Sequence, residues 1–147
     1  MGITDARRPG RYRFAVRTVG NAGVATSGDY ERGFTKDGIR YHHILDATTG
    51  WPARGVASAT VVAASTILAE RFATAAFLLG WEAGLALLEE TPGVEGALIV
   101  YDGTILPTTG MDRLSDLPGN LAPATRKGCA PAGALTLRYN RSYARER

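Results

Sequence analysis

Two adjacent histidines, His42 and His43, precede a polar segment that contains Asp46, Thr49 and Gly50. Neighbouring side chains on a β-strand point to opposite faces, so at most one of the two imidazoles can point into a site. His43 is the better candidate because it adjoins the polar segment, and loops on a rigid scaffold often carry functional groups. An imidazole in that position could accept or deliver a proton. The alternative is that neither histidine has a functional role.

Upstream of the histidines, Thr26, Ser27 and Gly28 supply two hydroxyls and an accessible backbone N–H. This combination suits the binding of a phosphate or of the edge of a ring. The alternative is a turn in which the side chains hydrogen bond only to their own backbone.

Glu70 and Thr74 are four residues apart in a segment with helical spacing, so they share one face of a helix. A carboxylate and a hydroxyl one turn apart can both bind a hard cation such as Mg²⁺, whose shell is completed by phosphates and water. The alternative is structural. Glu70 would then complement the positive end of the helix dipole, and Thr74 would face the core.

The elements that must position these groups form an α+β domain, which we expect to have a mainly antiparallel sheet with two helices packed on it. Apolar residues at helical spacing predict one helix over 66–80 and a second over 82–90. Thr66 is the expected N-cap of the first helix, and Gly80 is its expected C-terminal stop.

Strands are predicted from period-two patterns and from the turns between them. Alternation predicts a strand over 11–19. Small apolar residues over 56–65 predict a strand buried on both faces, and therefore a central one. Asp-Gly pairs at 37–38 and 102–103 predict two hairpins, because glycine tolerates the positive φ that such turns need. A further strand is possible over 134–139.

The composition favours a packed globular protein and excludes several other classes. Apolar residues make up 45% of the 147 residues. The mainly apolar run over 59–80 is broken by Glu70 and Arg71, so we expect a strand followed by a helix and no transmembrane segment. The N-terminal sequence lacks the apolar stretch of a secretory signal. Cys129 is the single cysteine and is expected to be a loop residue without a disulfide.

The positive charge is concentrated in the C-terminal tail. Residues 112–147 carry seven Lys and Arg against three Asp and Glu, whereas residues 1–111 carry ten against eleven. The tail could contact nucleic acid or acidic lipid, or it could be a solvated terminus. Because the sequence contains no nucleic-acid-binding motif, we expect no nucleic-acid partner.

Five blocks of the sequence, in a fixed order, resemble the C-terminal part of the ApbE-type flavin transferases, which are FAD:protein FMN transferases. The resemblance covers roughly residues 10–111. It divides the chain into the C-terminal portion of an ApbE-like domain over 1–111 and an unassigned basic Pro/Gly-rich tail over 112–147. The blocks read ATSGDYERGF, DGIRYHHILDATTGWPA, GVASATVV, AERFATAAFLLG and GLALLEETPGVEGALIVYDG.

The resemblance implies a Mg²⁺-dependent transferase with FAD as its substrate. Such enzymes attach FMN through a phosphoester to a threonine of an acceptor protein and release AMP. It implies catalytic roles for His43 and Asp46 and metal binding by Glu70 and Thr74. It also implies flavin contacts from two short segments, which contain Thr26, Ser27, Gly28, Thr49 and Gly50.

The chain departs from the family pattern in three places. Glu70 stands where the family has aspartate, and Ala47 stands where it usually has proline. The third departure is that the family's N-terminal half has no counterpart before Arg11, so we expect that half to be a further partner. This half carries another metal ligand and much of the flavin and adenine pocket.

The sequence is also compatible with other functions. One is a truncated or diverged remnant that binds flavin without catalysis. Another is an FAD pyrophosphatase, because some family members hydrolyse FAD to FMN and AMP. A third is a basic-tailed interaction domain with no flavin role. The chain as it stands predicts a cytoplasmic location, although some family members are exported and anchored to the membrane.

Overall fold

The computed structural model describes residues 1–5, 8, 10–18 and 20–116. Within these residues the chain forms eight strands, one long helix and a short 3₁₀ turn. In chain order they are β1 (Gly2–Thr4), β2 (Tyr12–Ala15), β3 (Gly23–Gly28), β4 (Gly33–Lys36), β5 (Ile39–His42), β6 (Ser58–Ala63), α1 (Thr66–Glu90), β7 (Glu95–Ile99), β8 (Ile105–Pro107) and the 3₁₀ turn (Met111–Arg113).

The main sheet has the strand order β3-β6-β7-β8, and every neighbouring pair is antiparallel. All six residues of β6 are buried. This confirms the central strand that the small apolar residues predicted, because a strand that is covered on both faces buries the side chains of both faces. The α+β class with a mainly antiparallel sheet is confirmed as well.

The two faces of the sheet support two separate cores. Helix α1 covers one face, and the β1–β2 hairpin lies with the other. Side chains alternate along β6, so its odd-numbered positions enter the helix-side core, whereas Val62 enters the hairpin-side core. The helix-side core includes Ala59, Val61, Ala63, Ala69, Ala73, Ala76, Phe77, Leu88, Leu98 and Leu106. The hairpin-side core is formed by Ile3, Phe14, Val16, Val62, Ala97, Ile99, Ile105 and Met111.

Helix α1 contains both predicted helices, joined across a break at Gly80. The backbone there has φ 80° and ψ 179°, a conformation that is essentially restricted to glycine. The predicted N-cap was wrong by one residue. Ser65 caps the helix, and its hydroxyl accepts a hydrogen bond from the Leu68 N–H. Ser65 and Thr66 are both good capping residues, so the position was decided by where the extended backbone of the preceding loop ends.

Among the described residues, α1 is the one helix that is long and apolar enough to cross a membrane by length and composition. Its alanine-rich face is buried against the sheet, as are Phe77 and Leu88. The break at Gly80 also divides it into two shorter helices. Ile67, Leu68, Leu78 and Leu79 on the same helix are exposed, so the described residues cover only one face of α1.

Both predicted hairpins are present. In the first, β4 and β5 form a separate two-stranded sheet around Asp37 (φ 51°) and Gly38 (φ 75°), as a tight hairpin turn requires. In the second, β7 pairs with β8, and the loop between them contains Gly103 with φ 90°.

Three outcomes differ from the sequence expectation or lie beyond it. The strand predicted over 11–19 is shorter, since it runs over Tyr12–Ala15, and its partner β1 was not predicted. The turn that was the alternative for Thr26, Ser27 and Gly28 is not formed, because β3 continues through Gly28. Cys129 and the strand predicted over 134–139 lie outside the described residues.

Gly23, at the start of β3, lies against the beginning of α1. A Cβ atom at this position would be 2.1 Å from the Thr66 nitrogen and 2.3 Å from the Ser65 carbonyl carbon. Both atoms belong to backbone that the N-cap holds in place, so neither can move aside cheaply. Glycine is therefore required for the helix to approach the strand this closely.

We predict that Gly23→Ala lowers the free energy of unfolding by about 2 kcal/mol or more, because the added methyl forces strand and helix apart. Denaturant unfolding followed by circular dichroism measures this. Gly93→Ala is the control, since Gly93 has φ 76° but no neighbour within 4 Å of the added Cβ. Its cost should be limited to about 1–2 kcal/mol of backbone strain. Equal losses in the two variants would contradict the role assigned to Gly23.

Candidate functional site

The contact at Gly23 sets the alignment of β3 with α1. From Gly23 to Ser27 the strand advances about 13 Å, and from Thr66 to Thr74 the helix advances about 12 Å. Because the two elements run side by side over this distance, Ser27 comes to lie opposite Thr74. The Ser27 and Thr74 hydroxyls share a hydrogen bond of 2.9 Å in which either can donate. One predicted flavin-site residue therefore contacts one predicted metal ligand.

The three residues of the Thr-Ser-Gly segment do not face one site. Thr26 points to the opposite side of the sheet, where its hydroxyl shares a 2.9 Å hydrogen bond with that of Thr60. Gly28 is buried against Tyr30, and a Cβ atom there would lie 2.5 Å from the tyrosine ring. The structure thus brings Ser27 to α1, whereas Thr26 and Gly28 lie on the other face.

Glu70 lies one turn before Thr74 on α1. Its side chain is exposed, whereas Thr74 is half-buried. Their oxygens are of the kind that Mg²⁺ prefers, and the two residues are neighbours on the helix surface. Among the residues that the structure describes, no three His, Cys, Asp or Glu side chains are grouped to hold a metal. The donor set fits a hard cation that takes its remaining ligands from phosphate, water or backbone oxygens.

The two histidines have different environments, as expected from their alternation. His43 is exposed, and its Nδ1 lies 3.3 Å from the Arg32 carbonyl oxygen. His42 is buried, with its Nε2 2.9 Å from the Ala53 carbonyl oxygen. Its ring meets the edge of Phe77 at a centroid distance of 5.5 Å. His43 is thus the accessible imidazole, and His42 anchors the end of β5 to the core.

The loop after β5 is closed by hydrogen bonds around Asp46. The Asp46 Oδ1 accepts from the Thr48 N–H at 2.8 Å, and its backbone carbonyl accepts from the Gly50 N–H at 2.8 Å. The Thr49 hydroxyl accepts from the Trp51 N–H at 3.3 Å. These bonds stabilise an exposed turn, in which Gly50 has φ 71°.

Hydrogen bonding also changes the acidity of Asp46. The Thr48 N–H is the largest cause that lowers the pKa of this carboxyl below its ordinary value of 3.8. A hydrogen bond to the charged form favours ionisation. The groups that hydrogen bond to the Asp46 carboxylate belong to its own loop. The ring of His43, in contrast, contacts the Arg32 carbonyl.

Arg40 is a supporting residue that sequence reasoning missed. Its guanidinium donates to the Asp29 carbonyl oxygen at 2.9 Å and 3.1 Å, and to that of Tyr30 at 3.2 Å. These bonds attach the β4–β5 hairpin to the end of β3. Arg40 and His42 alternate with Tyr41, so the period of two along β5 was the available signal.

Contacts along one stretch of α1 connect the separate parts of the site. Thr74 hydrogen bonds to Ser27 on β3. Three residues later on α1, the ring of Phe77 packs against the ring of His42. Ile44 and Ala53, on either side of the Asp46 loop, belong to the same core as Phe77. Strand β3, the histidine hairpin and the loop thus depend on one helix for their relative positions.

Comparison with known proteins gives a consistent assignment. The ApbE family model matches residues 1–98. An FAD:protein FMN transferase of Treponema pallidum (strain Nichols) is 42% identical over 112 residues, which is 76% of this chain and 31% of that protein. One from Vibrio cholerae serotype O1 is 45% identical over 71 residues, 48% of this chain and 21% of that protein.

Solved structures agree. The ApbE protein of Thermotoga maritima MSB8 superposes with a TM-score of 0.69 and 36% identity, over 78% of this chain and 37% of that one. The apo form of the flavinyl transferase ApbE of Pseudomonas stutzeri gives a TM-score of 0.54 and 40% identity, over 63% and 30%. The chain thus spans between 21% and 37% of the length of these four proteins.

We predict that the Asp46 carboxyl titrates below pH 3.8 in the folded chain, as measured by NMR. Its stabilising effect should be complete above the unfolded-state pKa and should be lost as the pH falls through the folded-state pKa. Thr48→Pro removes the donor N–H and should raise the Asp46 pKa. Asp102 is the internal control, because the Thr104 N–H lowers its pKa in the same way. An Asp46 pKa that Thr48→Pro leaves unchanged would contradict this cause.

Proposed function

The chain belongs to the ApbE family, and we propose that it forms one part of an FAD:protein FMN transferase. This part contains α1, with the proposed metal ligands Glu70 and Thr74, and the loop that begins at His43. The activity is transfer of FMN from FAD to a threonine of an acceptor protein. The observation that carries the proposal is the hydrogen bond between Ser27 and Thr74. It joins two segments that are far apart in the sequence, and both resemble site segments of the family.

The transfer makes and breaks one phosphorus–oxygen bond. The hydroxyl oxygen of the acceptor threonine attacks the FMN-side phosphorus of FAD. The bond from that phosphorus to the bridging oxygen breaks, and AMP leaves with the electron pair. The proton of the threonine hydroxyl passes to a general base. The products are a phosphoester of FMN on the acceptor and free AMP, so atoms and charge balance.

His43 is the base in this proposal. A carbonyl oxygen can only accept, so a hydrogen bond from Nδ1 to the Arg32 carbonyl favours the tautomer that carries its proton on Nδ1. The other ring nitrogen, Nε2, is then the proton acceptor. The exposure of His43 leaves its ring accessible to the threonine of a second protein.

Glu70 and Thr74 would hold Mg²⁺ through a carboxylate and a hydroxyl oxygen. When bound, the ion supplies neutralisation of the charge that develops on the departing phosphate. Phosphate oxygens and water would supply the other ligands, which suits a site with only two described side chains. Asp46 contributes indirectly in this proposal, because its hydrogen bonds shape the turn that presents Thr49 and Gly50 to the flavin.

Release of AMP from FAD by the purified chain tests the proposed function. The reaction contains Mg²⁺ and a flavin-acceptor protein with a target threonine, and the control contains EDTA. AMP is measured chromatographically, and acceptor-bound flavin by in-gel fluorescence. Mg²⁺-dependent AMP with fluorescent acceptor is the expected result. Free FMN in place of labelled acceptor would instead indicate a hydrolase. Absence of AMP would contradict catalysis by this chain and leave a flavin-binding role.

We predict that His43→Ala reduces FMN transfer by about 100-fold or more, the usual contribution of a general base. Binding of FAD, measured by the change in flavin fluorescence, should stay within about twofold because the loop hydrogen bonds remain. Lys36→Ala is the control, since Lys36 is exposed on the same hairpin. Normal transfer by His43→Ala would show that His43 is not the base.

We predict that Glu70→Asp lowers the Mg²⁺ concentration that gives half-maximal AMP release by about threefold or more, which is about the net contribution of one ordinary hydrogen bond. The shorter side chain restores the residue that the family has at this position. Glu82→Asp makes the same substitution on an exposed part of α1 and should change nothing. Unchanged or weaker Mg²⁺ dependence in Glu70→Asp would count against Glu70 as a ligand.

A further inference from the structure

Ser27 and Thr26 are neighbours in sequence but serve different faces of the sheet. Ser27 hydrogen bonds to Thr74 on α1, and Thr26 bonds to Thr60 on the far side. We infer that Ser27 is a positioning residue, which orients the Thr74 hydroxyl for the metal. This inference rests on the proposed function, because it takes Thr74 to be a metal ligand.

A threonine inside a helix has two accessible side-chain rotamers, because its hydroxyl can also bond a carbonyl of the preceding turn. That alternative would turn the Thr74 Oγ1 toward its own helix. The 2.9 Å bond to Ser27 offers a competing partner outside the helix. Since Ser27 sits on a strand whose position is fixed by the close approach at Gly23, one direction of the Thr74 hydroxyl is favoured.

The hydrogen bond leaves Thr74 able to bind a cation. A hydroxyl has one proton and two lone pairs, and Ser27 uses only one of these three positions. At least one lone pair therefore remains for the metal, whichever hydroxyl donates. Thr74 is half-buried, so its other surroundings restrict it further. Groups that orient a metal ligand in this way commonly affect metal affinity without touching the ion.

The role of Ser27 can be measured without turnover. Mn²⁺ serves as a spectroscopic substitute for Mg²⁺, since both take carboxylate, hydroxyl and water ligands. The loss of the free-Mn²⁺ EPR signal on adding the whole chain gives a Kd. We expect Ser27→Ala to raise that Kd by about 3- to 10-fold, the effect of one hydrogen bond. Thr74→Val should raise it by at least as much.

Ser58→Ala is the matched control. Ser58 lies on β6, the strand next to β3, and its register partner is Gly28, so it faces away from α1. Its hydroxyl is buried and has no hydrogen-bond partner among the described residues. The same substitution in the same sheet should therefore leave the Kd within about twofold. Thermal unfolding followed by circular dichroism shows whether each variant is folded.

Two further variants separate positioning from general damage. Ser27→Thr keeps a hydroxyl at the same place and should keep the Kd within about twofold of the wild-type value. Ser27→Ala added to Thr74→Val should cause no further loss, because a residue that acts through Thr74 has nothing to orient once that hydroxyl is gone. A further loss in the double variant would overturn the positioning role.

The outcomes distinguish this inference from the proposed function. If Glu70→Ala weakens Mn²⁺ binding but Ser27→Ala does not, the role of Ser27 is overturned and the metal site stands. If Glu70→Ala and Thr74→Val both bind Mn²⁺ like the wild type, the proposed metal site is wrong, and the role of Ser27 falls with it. A wild-type chain that binds no Mn²⁺ at millimolar concentration overturns both.

Discussion

The close contact between β3 and α1 at Gly23 is the constraint on which the rest of the site depends. Because Gly23 has no side chain, the backbone of β3 can lie directly against the backbone at the start of α1. Four residues of the strand and eight residues of the helix cover similar distances. The contact of Gly23 with Thr66 therefore fixes the contact of Ser27 with Thr74. A longer side chain at this point would change the alignment of the whole hydroxyl-bearing segment with α1.

The sheet separates structural from accessible groups by the alternation of its side chains. On β5, Arg40 and His42 hold the hairpin to β3 and α1, whereas Tyr41 lies on the opposite face of the strand and His43, just after it, is exposed. Tyr41 stacks on Phe34 at 5.2 Å and approaches the exposed Trp51 at 6.2 Å. The same hairpin thus has an anchored side and a side rich in aromatic surface, which lies beside the Asp46 loop.

Features controlled by local chemistry could be predicted from the sequence, and features controlled by tertiary alignment could not. The turn at Asp37 and Gly38 follows from backbone sterics, and the central position of β6 follows from its small residues. The N-cap was one residue off because Ser65 and Thr66 differ little in capping ability. Strand β1 was missed because three residues carry no periodic signal. Which of Thr26 and Ser27 faces the helix depends on the register of β3 against β6, which the segment itself does not encode.

The hydrogen-bonded Thr74 hydroxyl and the exposed Glu70 carboxylate form the proposed metal site, and Glu70 is the ligand for which the family resemblance implies an aspartate. Mg²⁺ requires near-ideal octahedral geometry, so a longer glutamate can serve only if other ligands fix the ion's position. Thr74 is half-buried and hydrogen bonded to the strand, whereas Glu70 is exposed and can change rotamer. If α1 binds a cation as proposed, the threonine sets where the ion sits and the glutamate adapts to it. The Ser27 hydrogen bond then matters more in this chain than it would beside a shorter aspartate, because the longer carboxylate constrains the ion less.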